Sequence, residues 1–220
     1  MEGLSFLWSE RVLLLDGMWQ TIYIAMISLF FSLLGGLVVG FLRSLRNPIL
    51  GFITRFYLEA FRIIPLIVWL IAAVFIIPRL VGGYVGISTS VIIVFVLWGS
   101  AEMGEMVRGA LESLPKIQKE SGLALGLSNM QLYTYILIPQ AFRRMLPGVI
   151  NMATRLIKTT AITTMAGVVE IFSRGMQIVE RTGESFALYA FIFFFFFALC
   201  YPLTLYSRYL EKRLRLKGGA

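Results

Sequence analysis

Residues 119–139 read KESGLALGLSNMQLYTYILIP, a stretch with no charge after Glu120 but with glycine, serine, asparagine, glutamine and a closing proline along it. Whether this stretch crosses a membrane decides how the rest of the chain is threaded. The chain has 220 residues, 58% hydrophobic and only 15% charged, more apolar material than one soluble core of that length needs. A multi-pass, all-α membrane protein is expected. One cysteine, Cys200, and no histidine exclude an internal disulfide, a Cys/His metal site and a histidine base. Glu2, Glu10 and Asp16 near the start argue against a cleavable signal peptide, so the first helix is expected to stay.

A spanning helix needs about 20 mainly apolar residues. Five segments meet or approach that length: 17–42, 56–78, 88–107, 146–169 and 185–207. Together they predict a single transmembrane domain over 1–220, with a long loop at 108–144. Arg43, Arg46, Arg55 and Arg62 lie between spans one and two; Arg108, Lys116, Lys119, Arg143 and Arg144 lie between three and four. The tail adds Arg208, Lys212, Arg213, Arg215 and Lys217, whereas the opposite side holds only Arg11, Arg79, Arg174 and Arg181. Fourteen cations against four put the N-terminus outside and the C-terminus in the cytoplasm. Those cations, at membrane edges, need no nucleic-acid partner. If 121–142 also crossed, Arg143 and Arg144 would face away from Lys116 and Lys119, so the opening stretch belongs in the cytoplasm. A cytoplasmic segment this apolar is expected to be covered by a partner.

Inside the loop, Pro115 opposes a continuous helix through Glu112 and Lys116. KIQKESGLAL predicts a short helix that Gly126 stops, and SNMQLYTYILI a second one capped by Ser128 or Asn129 and interrupted by Pro139. Ser121, Gly122, Ala124 and Gly126 are small enough for another backbone to approach.

The loop resembles the cytoplasmic signature of the membrane subunits of bacterial ABC importers, and within them the polar amino-acid uptake permeases. That signature, Glu-Ala-Ala, three residues, Gly, nine residues, Ile-x-Leu-Pro, stands here as Glu120-Ser121-Gly122, Gly126 and Ile136 to Pro139, with both alanines and the leucine replaced. GMWQTIYIAMIS, FYLEAFRIIPLIVWL, EMVRGALESLP, IPQAFRRMLPGVIN and KTTAI resemble further family segments in the same order, over about residues 17 to 212. The resemblance implies the type I ABC importer permease fold and a loop of coupling helices docked into a separate ATPase. Glu120, Ser121, Gly122, Gly126, Ile136 and Pro139 would carry that coupling. It also implies a pair of ATPase subunits, a second permease copy or a homologous permease, an extracytoplasmic solute-binding protein, a polar amino-acid substrate and the bacterial inner membrane. From spacing alone, an amphipathic helix lying on the lipid surface is the competing reading of the loop.

No G-x-x-x-x-G-K-[ST] occurs, so the chain should not hydrolyse ATP. No catalytic residue, cofactor or metal is expected. Span four carries charge near the membrane middle, since Arg155 follows Arg144 by eleven residues, about 16 Å along a helix. Asn151, Arg155, Lys158 and Thr159 share one face, which should point into the bundle. With Glu102 they form a candidate path for an amino acid, cations toward its carboxylate and Glu102 toward its ammonium. The plainer reading is a structural pair of Arg155 with Glu59, Glu102 or Glu105, or a place at a subunit interface. Glu105 and Arg108 read as a structural i,i+3 pair, Arg62 as an edge anchor, and Phe191 to Phe197 as lipid-facing or packing surface. Glutamate, aspartate or their amides fit the cationic stripe best. An ion-coupled secondary transporter of a small anionic or zwitterionic solute is the alternative; it predicts internal repeats and midplane carboxylates, and neither is evident.

Overall fold

The computed structural model describes residues 2–44 and 47–218, all helical or connecting, with no strand among them. Arg46, counted above among the cations, lies outside the described residues, as do the side chains of Arg215 and Lys217. A short helix α1 (Glu2–Ser9) leads into α2 (Arg11–Ser44), then α3 (Pro48–Ile63), α4 (Leu66–Val81) and α5 (Ile87–Glu112). The loop region holds α6 (Lys116–Ala124), α7 (Asn129–Gln131) and a π turn (Leu132–Leu137); α8 (Ile138–Thr159), a 3₁₀ stretch (Thr160–Ala166), α9 (Ile171–Thr182) and α10 (Phe186–Gly218) complete the chain. Among the described residues three helices, α2, α5 and α10, are long and apolar enough to cross a membrane, and two bent pairs raise the number to five.

The stretch 56–78, expected as one span, is broken instead. Pro65 has no N–H and drives its predecessor out of the helical region, so Ile64 is extended (φ −82°, ψ 127°) and α3 meets α4 at 105°. Periodicity of apolar residues hides such a break because both arms are apolar. The stretch 146–169 differs at both ends. Helix α8 begins already at Ile138, tightens to 3₁₀ at Thr160, and Gly167 in the left-handed region (φ 89°) turns the chain toward α9, which lies 50° off. On the other three stretches the helices run past the expected ends, α10 by eleven residues to Gly218.

Helices α2 and α5 form the tightest pair. A Cβ added to Gly36 would stand 2.2 Å from Met103 Cβ, and one added to Gly104 would stand 2.5 Å from Val39 Cγ1, so each backbone receives the other's side chains. Around this pair a central core joins Ile24, Leu70, Val91, Phe95, Met103, Met152 and Leu156, bringing α4 and α8 onto α5. A second cluster (Leu14, Ile171, Ile178, Leu188, Ile192) gathers α9 and α10 near the start of α2, and a third (Leu114, Leu132, Leu137, Ala141) seats the loop at the other end.

Candidate coupling loop and charged membrane site

Helix α6 stops at Ala124 because Gly126 takes φ 81°, and its N–H reaches back to the Leu123 carbonyl at 3.0 Å. The second arm restarts on a capping box. Ser128 Oγ accepts from Gln131 N at 3.2 Å while Gln131 Oε1 accepts from Ser128 N at 2.9 Å. Pro139 does not break this arm. It sits in the first turn of α8, and the wider π turn just before it removes the need for the N–H that proline lacks: Ile138 N bonds to Tyr133 O, five residues back. The second arm therefore runs without interruption into α8, the helix that carries Arg155.

The two arms are tied together and to the bundle. Gln140 Nε2 donates to Gln118 Oε1 at 3.0 Å, Lys119 Nζ stands 5.6 Å from the centre of the Tyr133 ring, and Arg144 Nη1 donates to the Ser113 carbonyl at 2.7 Å. Gly122, expected to admit another protein's backbone, is buried inside the loop itself; a Cβ there would fall 2.6 Å from Leu132 Cδ1. Glu120, Ser121, Gly126 and Pro139 are exposed and Ile136 is half-buried. The sequence reading missed the apolar tips, Leu125 at 83%, Met130 at 81% and Tyr135 at 76% exposure, although their place on either side of Gly126 marks them as the projecting edge.

The residues expected to line a path for an amino acid do not all converge. Arg155 Nη2 donates to Glu102 Oε2 at 2.9 Å, and its guanidinium lies 5.2 Å over the Trp98 ring, one turn before Glu102 on α5. Glu102 Oε1 is 4.0 Å from Arg62 Nε, and Arg62 is in turn 4.0 Å from Glu59. One carboxylate thus stands between a guanidinium of α8 and a guanidinium at the α3–α4 bend, closer to the first. Asn151 turns away to Glu211 of α10 (3.4 Å), Thr159 bonds back to the Arg155 carbonyl (2.7 Å), and Lys158 is exposed and in none of the ion pairs among the described residues. The pairing of Arg155 with Glu102, one of the two readings open in the sequence, is present. Glu105 meets Arg108 as the spacing predicts, and also Arg43 of α2 at 2.5 Å.

At the opposite end a buried carboxylate went unread in the sequence. Glu170 is 0% exposed; it caps α9 through Ser173 N at 3.0 Å and accepts from Thr164 Oγ1 at 2.5 Å and Thr21 Oγ1 at 3.4 Å. Its signal was a Glu three residues before Ser173 and directly after the Gly167 turn. Arg174 to Asp16 and Arg181 to Glu10 add two ion pairs, fixing α9 to the start of α2 and to the junction between α1 and α2.

Residues 32–216 match the family described as the binding-protein-dependent transport system inner membrane component. The chain belongs to this family. As a permease it is 30% identical over 96% of its length to the probable glutamine ABC transporter permease GlnP of Bacillus subtilis, of which 95% is covered. It is 27% identical over 98% of its length to the glutamate/aspartate import permease GltJ of Escherichia coli, covering 90% of that protein. In fold the permease is similar to a chain of an amino acid ABC transporter crystallised with histidines, at TM-score 0.86 and 21% identity, over 97% of this chain and 99% of that one. An inward-facing form of the MetNI methionine ABC transporter follows at TM-score 0.71 and 24% identity, over 91% and 95%. The all-α type I importer permease fold and the family resemblance carried by the loop are both confirmed, and the family is one of inner-membrane components rather than of enzymes.

Proposed function

We propose that the permease moves a polar amino acid into the cell, driven by a separate ATPase pair that binds the 108–144 loop and supplied by an extracytoplasmic binding protein. A second permease, identical or homologous, completes the pathway, and the C-terminus faces the cytoplasm. The observation that carries this reading is the continuity of the rod from the loop to the charges. Pro139 opens α8, Arg155 lies sixteen residues along it, and at 1.5 Å per residue a shift of the loop is delivered about 24 Å into the membrane. In this reading Glu120, Ser121, Gly126, Ile136 and Pro139 form the joint with the ATPase, Gly122 shapes it from within, and Leu125 and Met130 are its apolar anchors. Arg155, with Lys158 nearby on the same helix, receives the substrate carboxylate, Glu102 the ammonium, and Asn151 and Thr159 line the approach. The three cations Arg62, Arg155 and Lys158 outnumber Glu59 and Glu102, and an uncompensated charge in a membrane is costly, so a ligand bringing a carboxylate is favoured. Glutamate, aspartate and their amides suit this best.

The test is uptake of labelled amino acids into proteoliposomes that hold the permease, its ATPase and its binding protein. Uptake should require ATP. Glu120→Lys should leave ATP hydrolysis running without transport, and Arg155→Ala should abolish uptake while the complex still assembles. Uptake driven by an ion gradient without the ATPase would refute the reading; normal uptake by Arg155→Ala would remove that side chain from the path.

A further inference from the structure

Glu170 does more than its cap on α9 requires. Capping uses one carboxylate oxygen, for Oε1 alone accepts from Ser173 N at 3.0 Å and from Thr164 Oγ1 at 2.5 Å. The other oxygen, Oε2, faces Thr21 Oγ1 of α2 at 3.4 Å. That hydroxyl carries one proton, and the Gly17 carbonyl, at 3.0 Å, lies closer to it than Glu170 does. Thr21 Oγ1 is at the same time the acceptor for Ile171 N at 3.3 Å. A buried carboxylate oxygen therefore shares a single proton with a nearer carbonyl. Glu170 is in none of the ion pairs among the described residues, and Arg174, one turn along α9, turns to Asp16 and Gln177 instead. Leaving a buried oxygen half-satisfied is costly, so this contact is weak by construction.

The contact also sits on a seam. Helices α2 and α5 interlock through Gly36 and Gly104, whereas Ser207 Oγ of α10 donates to the Pro147 carbonyl of α8 at 3.1 Å, and α9 shares a core with α10 through Ile171, Ile178, Leu188 and Ile192. Thr21 belongs to the first set, and Glu170 to the second, in the segment that continues α8 beyond Thr159. Leu14 of α2 rests on the α9–α10 cluster too, but apolar contact is non-directional and survives sliding, as a hydrogen bond does not. We infer that Glu170 is a latch between α2 and α9, closed in this structure and released when the coupling loop draws α8 along the seam. Once the two helices part, water supplies the bonds that Oε2 lacks. The inference rests on the proposed drive of the loop by an ATPase, and it adds an opening at the far end of the same rod.

Amide hydrogen exchange on the lipid-embedded complex of permease and ATPase tests the latch, read in peptides covering 168–176 and, as an internal reference, 116–131. In Glu170→Gln the amide oxygen keeps the cap, and the amide nitrogen donates a full hydrogen bond to Thr21 Oγ1 where Oε2 had part of one. The charge lost from the N-terminus of α9 is a smaller effect than the cost of burying that charge, which the variant no longer bears. Exchange at 168–176 should therefore slow about fivefold, the value of one ordinary hydrogen bond, whereas Thr21→Val should speed it up. A cap that served the fold alone would lose protection in both variants. With ATP and vanadate, exchange in 116–131 should respond and wild type should lose protection in 168–176 with it, while Glu170→Gln should keep that protection. Resting exchange in Glu170→Gln equal to or faster than wild type, no change in Thr21→Val, or a nucleotide response in 116–131 without one in 168–176 would each overturn the inference. A response in neither segment would instead overturn the ATPase-driven reading, and release of the latch with it.

Discussion

Glu102 is the residue on which the membrane site turns, because it is shared. Its carboxylate lies 2.9 Å from Arg155 and 4.0 Å from Arg62. Removing Arg155 leaves Glu102 a second cation to lean on, whereas removing Glu102 leaves Arg155 without its carboxylate and Arg62 with Glu59 alone. Glu102→Ala should therefore destabilise the assembled complex more than Arg155→Ala does. In the Glu102→Ala background, loss of Arg155 should cost nearly nothing, since the charge then removed is an unpaired one. A thermal-unfolding double-mutant cycle should return a coupling of roughly 0.5–1 kcal/mol, modest because both groups are partly exposed. Additive single effects would mean that the pair is not formed in the assembled protein. The sequence placed Glu102 and Arg155 as possible partners through charge alone; it had no means of showing that Arg62, read as an edge anchor, competes for the same carboxylate, since that depends on the bend at Pro65.

Two elements depart from simple helices, and both departures are local chemistry. Gly126 holds φ 81° with nothing within 4 Å of where a Cβ would be, so backbone conformation and not space demands glycine there. Gly126→Ala should cost about 1–2 kcal/mol in the loop, as a left-handed residue with a Cβ does. Amide hydrogen exchange in 116–131 should speed up accordingly, and coupling of ATP hydrolysis to uptake should fall while the spans keep their protection. Unchanged exchange would show that the elbow does not depend on this glycine. The break at Gly126 and the Ser128 cap were legible because each rests on one residue type with one conformational role. The π turn was not, for Pro139 announces only that a standard helical bond is missing, and whether the chain kinks or widens depends on Leu132 and Leu137 being buried against Leu114 and Ala141.

For the whole molecule, the apolar runs predicted five spans and one long loop, and the structure holds three helices long and apolar enough to cross a membrane with two bent pairs that raise the number to five. Buried contacts such as Gly36 against Met103 and Glu170 against Thr21 join residues 67 and 149 positions apart, beyond any local pattern. Sidedness follows from charge, and it can be measured directly. Tyr84, in the turn between α4 and α5, is 96% exposed, and Met130, in the 108–144 loop, is 81% exposed. With the buried Cys200 changed to Ser, a cysteine at either position offers a single thiol to a membrane-impermeant maleimide. In spheroplasts Tyr84→Cys should label at once, and Met130→Cys only after the membrane is opened. The fourteen basic residues assigned to one side make this the expected order, as each would otherwise have had to be carried across the membrane during insertion. The reverse order would put the loop outside, beyond the reach of any cytoplasmic ATPase, and the coupling role of Glu120 would fall with it.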